Sequence, residues 1–364
     1  MLNIKTPTLV LSSEICMKNI QNMATKAKEQ KVIFRPHFKT HQSAIISDWF
    51  RDEGVTAITV ASVSMAQYFA NNGWKDITIA FPVNLLEIDE INQLASLIKL
   101  NLLIESEEVA AFLTSNLTSD CGFFIKIDTG YHRTGINVLN TALIDRILNL
   151  ANLSKLKFRG FLTHSGQAYH AKDKQELIRI QQTASENLNT LKNQYQQQYP
   201  DIILSVGDTP TCSQLPVVEG IDEIRPGNFV FFDLMQFALG SCSLEEIAVA
   251  LICPVVALHL NRLEAVIYGG AVHLSKEQTL LPPDPQPVFG LAISWDGKNF
   301  NTNNVLGKVS SLSQEHGIIS LTQDGCNLKS GDLVAILPVH SCLTAQLMRK
   351  YYDLNGMVIE TMNS

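Results

Sequence analysis

The residues with the clearest chemical potential lie in Phe34-Arg35-Pro36-His37-Phe38-Lys39-Thr40-His41. The apolar lead-in Val32-Ile33-Phe34 reads as the end of a buried strand, and strand side chains alternate between faces. Arg35, His37 and Lys39 then share one face, with alternate Cα atoms about 6.6 Å apart. Three basic groups on one face of an interior strand are costly to bury unless an anion or counter-charge meets them. A lysine desolvated beside an arginine has its charged form disfavoured from two directions. The neutral amine is the form that makes a Schiff base with a carbonyl, so covalent capture of a carbonyl by Lys39 is the chemistry expected here.

A second candidate is Pro338-Val339-His340-Ser341-Cys342, directly after the strand-like run Leu333 to Leu337. In an extended segment His340 and Cys342 would face the same way. Imidazole with thiolate is a ligand pair suited to zinc. Two ligands do not close a tetrahedral shell, so such a site would keep positions open for substrate or water.

Positioning these groups requires a regular frame, and the chain supplies a rhythm for one. From Val32 onward, eight strand-like runs occur at 32–39, 57–61, 77–81, 100–104, 123–127, 158–164, 202–206 and 229–232, most with a helical pattern between them. Alternating strands and helices imply parallel β/α units, and eight of them suggest a (β/α)8 TIM-like barrel. After about Gly240 the texture changes to strand-like runs at 247–260, 265–268, 305–309, 318–321 and 333–337. Turns such as Pro282-Pro283-Asp284-Pro285 and Asp324-Gly325 join them. The expected architecture is α/β: an N-terminal strand (1–11) that joins a β domain, a barrel (12–240) and a C-terminal all-β domain (241–364).

Active-site groups of such barrels gather at the C-terminal ends of the strands. That rule brings together Lys39 and His41, the stretch Asp128-Thr129-Gly130-Tyr131-His132-Arg133, the stretch His164-Ser165-Gly166-Gln167-Ala168-Tyr169-His170, and Gly207-Asp208-Thr209-Pro210-Thr211. The last of these, and Arg225-Pro226-Gly227-Asn228, are small turns whose N–H groups and hydroxyls can cradle a phosphate. A Schiff-base lysine with phosphate-binding turns at neighbouring strand ends points to pyridoxal phosphate.

Composition excludes other classes. The net charge of −7 argues against nucleic acid or an anionic membrane as partner. No apolar run approaches a membrane span, and the N-terminus lacks the apolar core of a signal peptide. The seven cysteines (16, 121, 212, 242, 253, 326 and 342) are scattered singly, which reads as reduced thiols in a cytoplasmic protein.

Taken together, Arg35-Pro36-His37-Phe38-Lys39-Thr40-His41, Asp128 to Gly135, Ser205 to Thr211, Glu223 to Asn228 and His340-Ser341-Cys342 resemble one family in order and over nearly the whole chain. It is the D-threonine aldolase / eukaryotic-type D-serine dehydratase family of alanine racemase-like pyridoxal phosphate enzymes. The resemblance implies that Lys39 binds the cofactor and removes the substrate α-proton, and that His37 belongs to the cofactor site. It further implies Arg133 near the phenolic oxygen, His164 against the pyridine ring, and Gly207, Thr209, Gly227 and Asn228 on the phosphate. Arg225 would lie beside the pyridine nitrogen, Tyr169 and His170 close to the substrate hydroxyl, and His340 and Cys342 on zinc or another divalent metal such as manganese. The implied substrate is a D-β-hydroxy amino acid, and the implied assembly is a homodimer. Loss of water to a keto acid and ammonia is favoured over retro-aldol cleavage to glycine and an aldehyde. Racemisation and non-catalytic cofactor carriage are the remaining alternatives. One departure stands out: Tyr268-Gly269-Gly270-Ala271-Val272-His273 occupies the place of an Asp-Ala-Gly-like segment, so Tyr268 or His273 would act on the substrate side.

Overall fold

A computed structural model describes residues 2–152, 154–282 and 285–363. The chain forms two compact units that interleave along the sequence: Met1–Gln21, Thr40–Trp49 and Asn228–Ser364 make one, Asn22–Lys39 and Phe50–Gly227 the other. These units do not follow the linear order of the sequence.

The second unit is a parallel sheet of eight strands. Its order is Ile33–Phe34, Glu223–Ile224, Ile203–Val206, Leu156–Leu162, Cys121–Asp128, Lys99–Ile104, Asp76–Pro82 and Ile58–Val60. Its two ends meet at a bridge between His37 and Thr59, which closes the barrel. The first strand is shorter than expected because Pro36 interrupts it, yet the backbone continues to pair on both sides. Arg35 and His37 donate N–H to Ile224 and Pro226 (3.0 and 2.9 Å), while Thr59 donates to Pro36 O and Phe38 donates to Thr59 O, both at 2.9 Å. The eighth strand corrects the sequence reading. It is Glu223–Ile224, whereas Asn228–Val230 is a single 3₁₀ turn in the other unit. Phe229, Val230, Phe231 and Phe232 read as a strand because all four are buried, and an apolar run that short does not distinguish strand from buried turn.

Helices cover the strands where the sequence placed them, among them Val63–Asn71, capped by Ser62, and Lys174–Tyr195, capped by Asp173. Gly160 lets two strands approach: a Cβ there would lie 2.0 Å from Ile203 O.

The first unit is built on a nine-stranded sheet. Six of its strands close on themselves in the order Val249–His259, Glu264–Tyr268, His316–Leu321, Phe300–Leu312, Gly290–Trp295 and Leu333–Pro338, with Val249–His259 pairing at both ends. Thr8–Leu11 pairs antiparallel with Val249–His259 and leads on to Lys350–Asp353 and Val358–Glu360. The sequence reading omitted Gly290–Trp295 and the two C-terminal strands. The turn expected at 282–285 includes residues 283 and 284, which lie outside the described residues.

Candidate active site

The barrel interior is unusual. Barrels of this kind are ordinarily filled by layers of aliphatic side chains, but here Arg35, Glu223 and Ser205 are buried inside the ring. Arg35 donates to Asp76 Oδ1 and Glu223 Oε2, both at 2.6 Å, and Glu223 Oε1 accepts from Ser205 Oγ at 2.5 Å. Ser205 in turn accepts from Arg225, whose other terminal nitrogen donates to Thr163 O at 2.7 Å. Arg35 is thus committed to two carboxylates, whose charge outweighs the burial that works against its own and raises its pKa. This overturns the idea that Arg35 presses on Lys39. It is not among the residues lining the cavity that Lys39 faces.

That cavity, about 450 Å³, opens at the C-terminal ends of the strands. Its lining includes His37, Lys39, Lys126, Arg133, His164, Gly207 and Arg225, set against an apolar wall of Ala61, Ala80, Phe81, Leu103 and Leu162, with no carboxylate. Lys39 is an exposed residue at the cavity, not the desolvated one expected. The desolvated lysine is Lys126, whose amine burial and the nearby Arg133 charge pull down to about 8. Burial likewise lowers Arg225 to about 10. Sequence reading passed over Lys126 although it is the one basic residue in the apolar strand Cys121–Asp128. Parity with Phe124 could have flagged it.

His164 donates from Nδ1 to Gly207 O at 2.5 Å. Burial, reinforced by the Lys39, Arg133 and Arg225 charges, holds it neutral with a pKa of about 3. Tyr131 packs edge-on to His164 at 6.0 Å and under the Arg133 guanidinium at 4.9 Å. The loop that carries Arg133 is fixed by Asp128, which accepts three backbone N–H groups, from Gly130, Tyr131 and His132, at 3.0–3.1 Å. Asp128 also meets His132 Nδ1 at 2.8 Å.

Gly207 approaches Arg225 so closely that a Cβ would lie 2.9 Å from the arginine Cβ. Thr209 opens the short helix Thr209–Gln214, with Asp208 as its cap: Asp208 accepts from Thr211 N and Thr211 Oγ1, both at 2.7 Å. Burial raises Asp208 to about 6 against those two bonds. Thr209 N donates to Tyr169 OH at 3.2 Å, which draws Tyr169 to this turn. The Thr209 hydroxyl is buried with no hydrogen-bond partner. Gly227 is buried as well, whereas His170 is exposed and outside the cavity lining.

Four residues expected near the substrate or cofactor belong to the first unit. His41 is fully buried in the first unit, where burial lowers its pKa to about 3. Asn228 turns its side chain to Asp233 Oδ2 (2.7 Å), Ser341 Oγ (3.1 Å) and Cys342 Sγ (3.4 Å), also in the first unit, and its Oδ1 is buried without a partner. Tyr268 and His273 stack edge-on at 5.8 Å, His273 accepting from Gly270 N at 3.1 Å.

His340 and Cys342 do not sit in one extended segment. His340 is extended, but Ser341–Met348 is helical and Cys342 lies in its first turn. They meet nonetheless: burial would lower His340, but its hydrogen bond to Cys342 and the charges of Cys342 and Asp233 carry it up to about 9. The sulfur also lies 3.3 Å from Thr40 Oγ1. Among the described residues no cluster of three or more His, Cys, Asp or Glu has metal-binding geometry. A concavity of about 790 Å³ on the same unit is lined by Asp324 and Asp332 with no basic side chain.

Comparison with known proteins finds two family models, one after the other along the chain. The profile of the alanine racemase N-terminal domain matches residues 14–234, and that of a putative serine dehydratase domain matches 248–354. The D-serine dehydratase of Dictyostelium discoideum is 28% identical over 97% of this chain and 94% of its own. The D-threo-3-hydroxyaspartate dehydratase of Delftia sp. is 25% identical over 97% and 95%. Its solved structure superposes with a TM-score of 0.90 at 23% identity, covering 100% of this chain and 98% of that one. The D-threonine aldolase of Filomicrobium marinum superposes with a TM-score of 0.79 at 19% identity over 98% and 94%. With a match spanning more than half its length, the chain belongs to the family defined by the alanine racemase N-terminal domain.

Proposed function

We propose that this protein is a pyridoxal phosphate- and metal-dependent lyase that dehydrates a D-β-hydroxy amino acid to a keto acid and ammonia. The observation that carries the reading is the cavity itself, in which Lys39, Lys126, Arg133 and Arg225 face an apolar wall with no carboxylate among the lining residues. A flat, anionic molecule with a carbonyl for Lys39 fits that field. The buried, unpartnered Thr209 hydroxyl and the cramped Gly207 turn fit a phosphate beside them. The dehydratase names of the Dictyostelium and Delftia relatives support the substrate class.

Lys39 holds the cofactor and takes the substrate α-proton. Arg133 would serve the cofactor's phenolic oxygen and His164, kept neutral, its ring, in the cavity that both line. Gly207, Thr209 and Gly227 bind the phosphate; the Asn228 side chain is engaged with Asp233 and Ser341, so it is left out of that cradle. Arg225, gripped by Ser205 and Thr163, would be the donor for the pyridine nitrogen, and His37 completes the lining. Tyr169, tied to the Thr209 turn, serves the substrate hydroxyl; the exposed His170 is the weaker candidate there. The bound cofactor supplies the electron sink for the pair left at Cα. His340 and Cys342 would hold zinc, or another divalent ion such as manganese, which would supply Lewis acidity for loss of the substrate hydroxyl. A solved structure of a D-threo-3-hydroxyaspartate dehydratase, a cysteine-to-alanine mutant, is in the metal-free form.

Purified protein incubated with pyridoxal phosphate should take up one equivalent with visible absorbance, and Lys39→Ala should not. D-Serine, D-threonine and D-threo-3-hydroxyaspartate should then yield keto acid and ammonia, with the rate lost to a chelator and restored by zinc. Aldehyde and glycine would make it an aldolase, as the Filomicrobium likeness allows. Racemised substrate with chelator-resistant turnover would make it an isomerase. The seven cysteines, none in a disulfide, suit a reducing cytoplasm. A homodimer is the assembly to look for by sedimentation.

A further inference from the structure

We propose that Asp233 is a positioning residue that fixes the metal-binding geometry of His340 and Cys342, with Asn228 and Ser341 as its intermediaries; the inference rests on the metal reading of that pair. Asp233 is 1% exposed. Its Oδ2 accepts from Ser341 N at 3.0 Å, from Ser341 Oγ at 3.3 Å and from Asn228 Nδ2 at 2.7 Å. Ser341 is the residue between the two ligands, so one carboxylate oxygen holds both its backbone and its side chain. That grip sets the direction in which His340 leaves the extended segment and Cys342 enters the helix. Asn228 extends the grip to the sulfur, which lies 3.4 Å from its Nδ2, while its own Oδ1 stays buried and unpartnered.

A buried carboxylate is expensive unless its lone pairs are used. Those of Asp233 are spent on this segment and on one further bond, from Gln236 N to Oδ1 at 3.0 Å, which caps the helix Leu234–Ala238. The cap alone does not need a carboxylate, since serine and asparagine cap as well. What the carboxylate adds is a second, doubly charged-assisted hold on Ser341 and a negative charge beside a cation site. Groups that orient metal ligands in this way typically change affinity 10–100-fold when altered.

The test uses the full chain, stripped with a chelator and titrated with Zn²⁺ alone against a chromophoric competitor. Asp233→Asn keeps the shape and a capping oxygen but turns an acceptor into a donor facing Ser341. It should weaken Zn²⁺ binding by about 10–100-fold. Ser341→Ala, which removes only the hydroxyl contact and leaves the fold safe if the first variant misfolds, should weaken it by less than about tenfold. Loading with Co²⁺ should show the thiolate charge-transfer band with an altered ligand-field envelope in both variants. Wild-type Zn²⁺ affinity and an unchanged cobalt spectrum in Asp233→Asn and Ser341→Ala, while Cys342→Ala has lost binding, would overturn the positioning role alone. If Cys342→Ala also binds as wild type, the metal reading itself fails.

Discussion

The two units hold their polar interiors in opposite ways. In the barrel, charge is distributed: Arg35, Asp76, Ser205 and the pair Glu223 and Arg225 come from four different strands or their ends, and each bond joins residues distant in sequence. In the β unit, one carboxylate, Asp233, collects the bonds of two short segments. A distributed network ties the barrel wall together and spreads its fixed charges up to the cavity. A hub instead fixes one local geometry. Loss of a member should therefore damage stability in the first case and ligand geometry in the second.

The sharpest way to break that contrast is Arg35→Leu. It strips the counter-charge from Glu223, which is fully buried, and from Asp76, which keeps only Lys99. Removing one partner of a buried ion pair costs about 3–5 kcal/mol, so the urea midpoint should fall steeply. Asp233→Asn should move it far less. If the two shifts are equal, the distinction between network and hub is empty.

A smaller effect is expected at the cavity rim. A Cβ on Gly166 would lie 2.4 Å from Tyr131 Cε1 and Cζ, so Gly166→Ala must displace the ring on which Arg133 rests. Overpacking of this kind costs about 1–3 kcal/mol. The double variant Gly166→Ala/Tyr131→Leu should recover most of the thermal midpoint. Failure to recover would mean that Gly166 is needed for its backbone and not for the space it leaves.

How much of this was legible beforehand follows the same division. Barrel strands and helices announce themselves through local periodicity, and the rim residues lie where strand ends put them. Lys39, Arg133, His164 and Arg225 do line one cavity. What failed depended on distant partners. Glu223–Ile224 is two residues long, too short to carry a pattern, and is a strand only because Ile33–Phe34 and Ile203–Val206 flank it. Arg35 looked like a neighbour of Lys39 because alternation gives the face but not the depth at which a side chain ends. His340 and Cys342 meet, but not along one extended segment as expected, since no local signal in Pro338-Val339-His340-Ser341 marks the start of a helix that Asp233 holds from 108 positions away.

The smallest effect concerns pH, and it separates the units again. In the barrel, two groups oppose each other. His164, held at about 3, destabilises the fold as pH drops below the ordinary histidine value, because only the unfolded chain takes the proton. Asp208, raised to about 6, does the reverse between about 6 and the ordinary carboxylate value of 3.8, because there the folded chain holds the extra proton. Between about pH 6 and pH 4 these two largely offset. His41, in the β unit, is also held at about 3, and its Nδ1 accepts from Ser43 N at 3.1 Å. Of these three groups His41 is the one whose loss of stability on acidification is not offset by Asp208. His41→Asn offers Ser43 an equivalent acceptor and cannot titrate, so its stability should fall more slowly with acidification, by up to about 1.4 kcal/mol per pH unit. Urea midpoints at pH 7, 6 and 5 read this directly, with Asp208→Asn as the opposing control that should steepen the fall. Parallel curves for wild type and His41→Asn would move the acid-labile element out of the β unit.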